Sequence, residues 1–413
     1  MKKIVSMALV LCMLLSVAAF AETSGEVVKI GCILPLSGGS AYIGQLEQEG
    51  VDYCVAYYNS KGGIGGKKIE VVYADSTGVA DVAVTELERL ITVEGVVAVT
   101  GPFNSTVAVA MAPICEKYQV PFVILGAASL QVLQQGYTYT FRPGNTANTN
   151  TDALLGICDL IEAKFGDKIE NAAILYANGE WGVSQSESFK ELFSKAGINV
   201  VFNETFEAGT SDFSSIITKL KNSGAQVMIP VLDNFSDAVL FARQMKEYKA
   251  NIAILACGGV FVLQEFIDTL GADANLIFST DVWNADFLPM RGEEAVALHQ
   301  GYIDQYGHKM GEQAGMAWVA AVTLLEGMKN AASTKGSDIK DALLAQDLKP
   351  GDEAMMMIPY EGIKMNEETA DGQFGQNIYA FSMASQVING EWRAVFPDSI
   401  LQNNPITWPI VTE

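Results

Sequence analysis

Two short stretches set hydroxyl groups where an apolar run gives way to a helical pattern. Residues 100–106 read TGPFNST after VEGVVAVT, and residues 124–129 read ILGAAS at the end of VPFVILG. Three chemistries suit such turns: phosphate binding, an activated serine, or capture of another anion. The phosphate reading is weak. GGIGGKK at 62–68 lacks the G-x-x-x-x-G-K-[ST] spacing, and its glycines make a turn between a helix end and a strand. The nucleophile reading is weak too. Ser105 has no G-x-S-x-G elbow, and His299 and His308 lie on a polar helical stretch far from every serine turn, as on a solvated helix face. No histidine pair has metal-ligand spacing with carboxylates, and nothing calls for a cofactor. What remains is the helix end itself. Ser105 reads as the N-cap of an apolar-periodic helix, and Ser129 opens a short one. A carboxylate there gains about 0.3–2 kcal/mol from the dipole and about 1.5–3 kcal/mol from each charge-assisted hydrogen bond. Either serine alone reads equally well as a plain cap; two at neighbouring strand ends point to a binding cradle.

The surrounding pattern alternates strand and helix. VVKIGCIL, KKIEVVYAD, GVVAVTG and VPFVILG are continuous Val/Ile-rich strands. Helices at about 44–59, 79–93 and 105–118 separate them, as in a parallel sheet covered on both faces. A second series starts near Asn145: NAAILYA, INVVFNETF, AQVMIPVL, NIAILAC and ANLIFST, with helices at about 145–164, 182–196, 212–222, 234–248 and 259–269. Helical patterns at 291–306 and 312–330 follow, and then two strands joined at Asn389-Gly390, a hairpin signal. The fold class is α/β, two doubly wound βαβ lobes, with ligands expected beyond the carboxyl ends of the strands.

Composition sets the compartment. Lys2 and Lys3, the apolar stretch Ile4–Val17 and Ala19-Phe20-Ala21 form a cleavable secretory signal over 1–21 and predict a mature, exported chain from Glu22. The chain has 26 basic and 48 acidic side chains; the leader holds two of the lysines and no acid, leaving 24 against 48. Such a surface repels nucleic acid and anionic membranes. Five cysteines remain (Cys32, Cys54, Cys115, Cys158, Cys257), scattered and without C-x-x-C spacing, as structural thiols.

PLSGGSAYIGQ (35–45), YNSKGGIGGKKIEVVYAD (58–75), GPFNST (101–106) and ILGAAS (124–129) stand in one order. NGEWGVSQSESFKELFSKAG, GTSDFSSIITKLK and DGQFGQN…NGEW continue it. Together these motifs, spanning nearly all of 27–395, resemble the periplasmic leucine/isoleucine/valine-binding protein family, the solute-binding components of ABC importers. The resemblance implies the type I periplasmic binding protein fold, two lobes joined by a three-crossover hinge that close on ligand. Lobe 1 would be 27–145 plus 280–350, and lobe 2 would be 146–279 plus 351–413. It implies a ligand carboxylate on Ser105 and Ser129 in the turn of Phe103 and Asn104, the Ala127 carbonyl open to an ammonium, and side-chain contacts from Tyr42 or Ile43 and, across the cleft, Trp181. Trp181 lies in the polar turn NGEWG, which favours the cleft over the lobe 2 core.

Two departures matter. Gly258 stands where many amino-acid binders of the family carry Asp or Glu. Thr77 and Asn104 stand where some relatives bridge two loops. Asp233, after VMIPVL, is the candidate substitute acid; it reads equally as the N-cap of the 234–248 helix. The expectation is a monomeric, non-enzymatic periplasmic receptor that passes an amino acid or related small carboxylate to an ABC permease. The same fold with an aromatic or aliphatic acid or an amide is the second reading, and a secreted hydrolase the third.

Overall fold

The structure is a computed structural model that describes residues 26–368, 373–397 and 405–408; the secretory signal expected at 1–21 lies outside the described residues. The first lobe alternates β1 (Val27–Leu34), α1 (Ala41–Ser60), β2 (Lys68–Asp75), α2 (Ala80–Arg89), β3 (Val99–Gly101), α3 (Ser105–Tyr118), β4 (Phe122–Ile124), α4 (Gln131–Gln134) and β5 (Thr140–Phe141). Their sheet has the order β2-β1-β3-β4-β5, and every pair is parallel. The second lobe repeats the winding with α5 (Ala147–Phe165), β6 (Asn171–Ala177), α6 (Glu180–Lys195), β7 (Asn199–Phe206), α7 (Ser214–Lys221), β8 (Val227–Val231), α8 (Phe235–Glu247), β9 (Ala253–Ala256), α9 (Gln264–Leu270) and β10 (Phe278–Asp281). Its parallel part runs β7-β6-β8-β9-β10, the same 2-1-3-4-5 order. Both lobes therefore place a topological switch point beside their first strand, where ligands of open α/β sheets bind.

Burial on both faces accounts for the near-continuous apolar strands: β8 is buried at all five positions. After β10 come α10 (Glu293–Tyr306), α11 (Glu312–Asn330) and α12 (Gly336–Leu344), a two-stranded ribbon of β11 (Asp347–Leu348) and β12 (Ile363–Lys364), and then β13 (Met383–Ile388) and β14 (Glu391–Phe396). β13 joins β10 antiparallel, and β14 extends that sheet. Asn389 and Gly390 both have positive φ, 52° and 79°, as the two-residue hairpin requires. α11 is buried along Glu312–Met328. It packs on α1 so closely that a Cβ at Gly50 would run into the backbone of Ala314.

The chain crosses between lobes after β5, after β10 and before β13. The first and third crossings are bonded to each other: Arg142 N–H donates to Gly375 O at 2.8 Å, and Asn377 N–H donates to Arg142 O at 2.9 Å. Met357, Ile358, Ile363 and Phe374 share one apolar cluster with Ile30, Trp318 and Leu325 of the first lobe. Met355, Tyr360 and Met365 belong to the same cluster.

Other differences are local. The cap of α3 is Asn104, so Ser105 is its first helical residue rather than its N-cap. His299, expected on a solvated face, is buried; its Nε2 accepts from Met310 N–H at 3.3 Å, and burial lowers its pKa. His308 does face solvent and pairs with Glu49 at 3.1 Å. The five cysteines are free and buried.

Candidate functional site

The carboxyl ends of both sheets converge on a cavity of about 40 Å³, space for roughly three waters. From the first lobe come Phe103, Asn104 and Ser105 after β3, and Gly126 and Ala128 after β4. From the second come Trp181 after β6, Asp233 after β8, Gly258 and Gly259 after β9, and Thr280 on β10. Asn145 and Asn150 at the first crossing, Val282 at the second, and Glu312 and Met316 on α11 complete the wall. A larger cleft of about 880 Å³ lies beside it, lined by Tyr42, Leu46, Glu265, Trp283, Lys309 and Arg393 among others. Glu312 borders both spaces.

Six of the ten residues singled out in the sequence (Phe103, Asn104, Ser105, Trp181, Asp233 and Gly258) meet at the inner cavity. Tyr42 is on the outer cleft, and Ile43 is buried in the apolar cluster of the second lobe. Ala127 and Ser129 are buried and do not line either space. Their carbonyls accept from Arg142 Nη1 at 3.5 and 2.7 Å. The Ser129 hydroxyl donates to Glu180 Oε1 of the second lobe at 2.7 Å, and Gln131 N–H donates back to Ser129 Oγ at 3.1 Å. The two serines do adjoin, because Ser129 N–H donates to Ser105 Oγ at 3.2 Å. Of the two, Ser105 lines the cavity.

Asp233 is not the cap of its helix. The cap of α8 is Asn234, whose side chain accepts from the N–H groups of Ser236 and Asp237 at 3.0 and 3.3 Å. Asp233 is left on the cavity wall, where burial raises its pKa. Trp181 stands over Gly259, its ring 3.6 Å from where a Cβ would sit. Gly258 and Gly259 have φ of +47° and +63°, a turn that strains other residues.

Sequence reasoning missed Glu312. Its Oε2 accepts from Val282 N–H at 3.1 Å and its Oε1 from Gln313 Nε2 at 3.3 Å, and Gln313 Nε2 also donates to Gly259 O at 3.2 Å, tying the lobes. Burial, then the neighbouring Asp281, pushes its carboxyl well up. Asp281 is pushed up to about 6 by burial, against hydrogen bonds from Ser385, Asn284 and Trp283. The available signal was an acid opening a long, mostly apolar helix, which is buried from Glu312 to Met328. Asn145 and Asn150, bonded to each other at 3.0 Å, carried no signal beyond their place at a crossing. No member of the inner wall is basic, and among the described residues no cluster of three His, Cys, Asp or Glu is placed to hold a metal.

A family profile described as Periplasmic binding protein matches residues 27–386. Leu/Ile/Val-binding protein homolog 7 of Brucella suis biovar 1 is 30% identical over 403 residues, covering 93% of this chain and 96% of that protein. Homolog 8 of the same organism is 27% identical, covering 93% and 94%. Among solved structures, the branched-chain amino acid transporter substrate-binding protein LivJ of Streptococcus pneumoniae, in complex with isoleucine, superposes with a TM-score of 0.75 at 23% identity. That match covers 90% of this chain and all of that one. A solute-binding protein of an ABC transporter from R. palustris, in complex with benzoate, has a TM-score of 0.74 at 19% identity, covering 89% and 95%.

Proposed function

The chain belongs to the periplasmic binding protein family, in its leucine/isoleucine/valine-binding branch, and on that premise we propose that it is an exported receptor that closes on an amino acid and delivers it to an ABC permease. The observation that carries the reading is the cavity itself, assembled from the carboxyl ends of two sheets of identical winding and both acidic and hydroxyl-bearing. The proposed site is Ser105, Asn104 and Phe103 on one lobe, facing Trp181, Asp233 and Gly258 on the other, with Ser129 acting behind the wall. The lobes we propose are 27–145 with 280–350, and 146–279 with 351–413.

The receptor acts as a monomer after loss of its leader and performs no chemistry on its ligand. A second reading, an aromatic acid as ligand, draws support from the benzoate complex of a neighbour with the same fold. Mass spectrometry of solute released from gently denatured protein tests the proposal: an intact amino acid supports it. Steady turnover of a supplied amino acid or amide would point to an enzyme instead.

A further inference from the structure

We infer that the solute carries an ammonium group, and that Glu312 receives it in place of an acidic side chain at position 258; the inference rests on the receptor reading above. Gly258 has no side chain, yet Glu312 Oε1 lies 3.9 Å from the point where its Cβ would stand. A carboxylate thus reaches the space in front of residue 258, delivered by α11 instead of by the turn after β9. The neighbouring Asp281 is held otherwise, by Ser385 Oγ at 2.8 Å, Trp283 N–H at 3.1 Å and Asn284 Nδ2 at 3.1 Å. Glu312 is the member of that pair on the inner wall.

A second, independent observation concerns unpartnered atoms. Glu47 on α1 is fully buried, and both its carboxylate oxygens lack a hydrogen-bond partner. Its Oε1 lies 3.3 Å from where a Cβ at Gly126 would be, a point that also meets Phe103; both residues line the cavity. Gln313 Oε1, adjacent to Glu312, is likewise buried and unpaired, as is Oδ1 of the wall residue Asn104, which lies 3.6 Å from where a Cβ at Gly78 would stand. All of these are acceptors. The buried donor left over nearby, Arg142 Nη2, belongs to a side chain off the wall whose other nitrogens bind Ser129 O and Gln376 Oε1. A cavity with two carboxylates on its wall, a third behind it, unpaired acceptors and no basic residue is completed by a ligand that brings donors and positive charge. A ligand that is only a carboxylate meets no basic partner on this wall.

The test is a calorimetric and thermal-shift panel: glycine, alanine, valine and leucine, their deaminated acids, and the corresponding decarboxylated amines. It is run on the mature protein and on Glu312→Gln. At least one amino acid should bind tenfold or more tightly than its deaminated acid, and Glu312→Gln should erase that ratio, which general structural damage would not do selectively. An acid that binds the wild type as well as its parent amino acid overturns the inference and leaves the receptor reading standing. So does an undiminished ratio in Glu312→Gln folded by circular dichroism. Silence across the whole panel overturns both.

Discussion

Ser129 of the first lobe donates its hydroxyl hydrogen to Glu180 of the second at 2.7 Å, directly behind the cavity wall. The Gln131 side-chain amide, oriented as a donor, reaches the same carboxylate at 2.7 and 2.9 Å, and Glu180 N–H faces Thr106 Oγ1 at 3.4 Å. Glu180 opens α6, so this contact exists only when the lobes are together. It ties the two lobes to each other.

Removing the tie should therefore weaken closure. Glu180→Ala and Ser129→Ala are each expected to lose about 1–2 kcal/mol of closed-state stability, and so about five- to thirtyfold in affinity. The double variant should bind no worse than the weaker-binding single one, because the Ser129–Glu180 bond is already gone in Glu180→Ala. Calorimetry on the four proteins checks this, and losses that add in full contradict it.

Ser105→Ala should act differently. It removes a hydroxyl from the cavity and leaves Ser129 N–H buried without its acceptor. A stability loss of about 1–3 kcal/mol and a ten- to hundredfold loss of affinity are expected. Its effect should add to that of Glu180→Ala, since the two residues do different jobs. Wild-type affinity in Ser105→Ala would remove the serine from the site.

The strands and their order of appearance were legible because burial on both faces leaves a residue-type record, as in NAAILYA and VMIPV. The hairpin was legible because Asn389 and Gly390 tolerate the positive φ it needs. The cavity was half legible. Asp233 and Asn234 can each cap a helix, and only the backbone path assigned the cap to Asn234. The bond from Ser129 to Glu180 was not legible, because a turn sequence shows a hydroxyl but not the partner that the other lobe brings to it. Glu312 escaped for the same reason: its meeting with Gly258 depends on the second crossing, and no local pattern encodes that.

Asp281 predicts a pH dependence. Folding raises its carboxyl from the ordinary 3.8 to about 6, with Glu312 and Asp286 facing it. The folded state thus holds this proton more tightly than the unfolded one. That contribution is complete below about pH 4 and is lost as pH rises through about 6. Asp281→Asn should match the wild type in melting temperature near pH 4 and exceed it at pH 7–8. Parallel curves from pH 4 to 8 would show that the carboxylate is already paired.

Glu47 is fully buried and both its carboxylate oxygens lack a hydrogen-bond partner. A buried, unpartnered carboxyl costs about 1–3 kcal/mol, so Glu47→Met should raise the melting temperature of the unliganded protein and weaken its hold on an amino acid. A fall in melting temperature would mean that the carboxyl supports the fold.

The central claim is that two lobes close around a solute, and small-angle scattering tests it most directly. Without ligand the lobes should separate in part, since the Ser129–Glu180 and Gln313–Gly259 bonds are few. Saturation with an amino acid that binds should lower the radius of gyration to that of the closed structure. Glu180→Ala should start from a larger radius and need more ligand to reach the same end point. Identical scattering curves with and without ligand, at an occupancy that calorimetry shows to be full, would contradict the account.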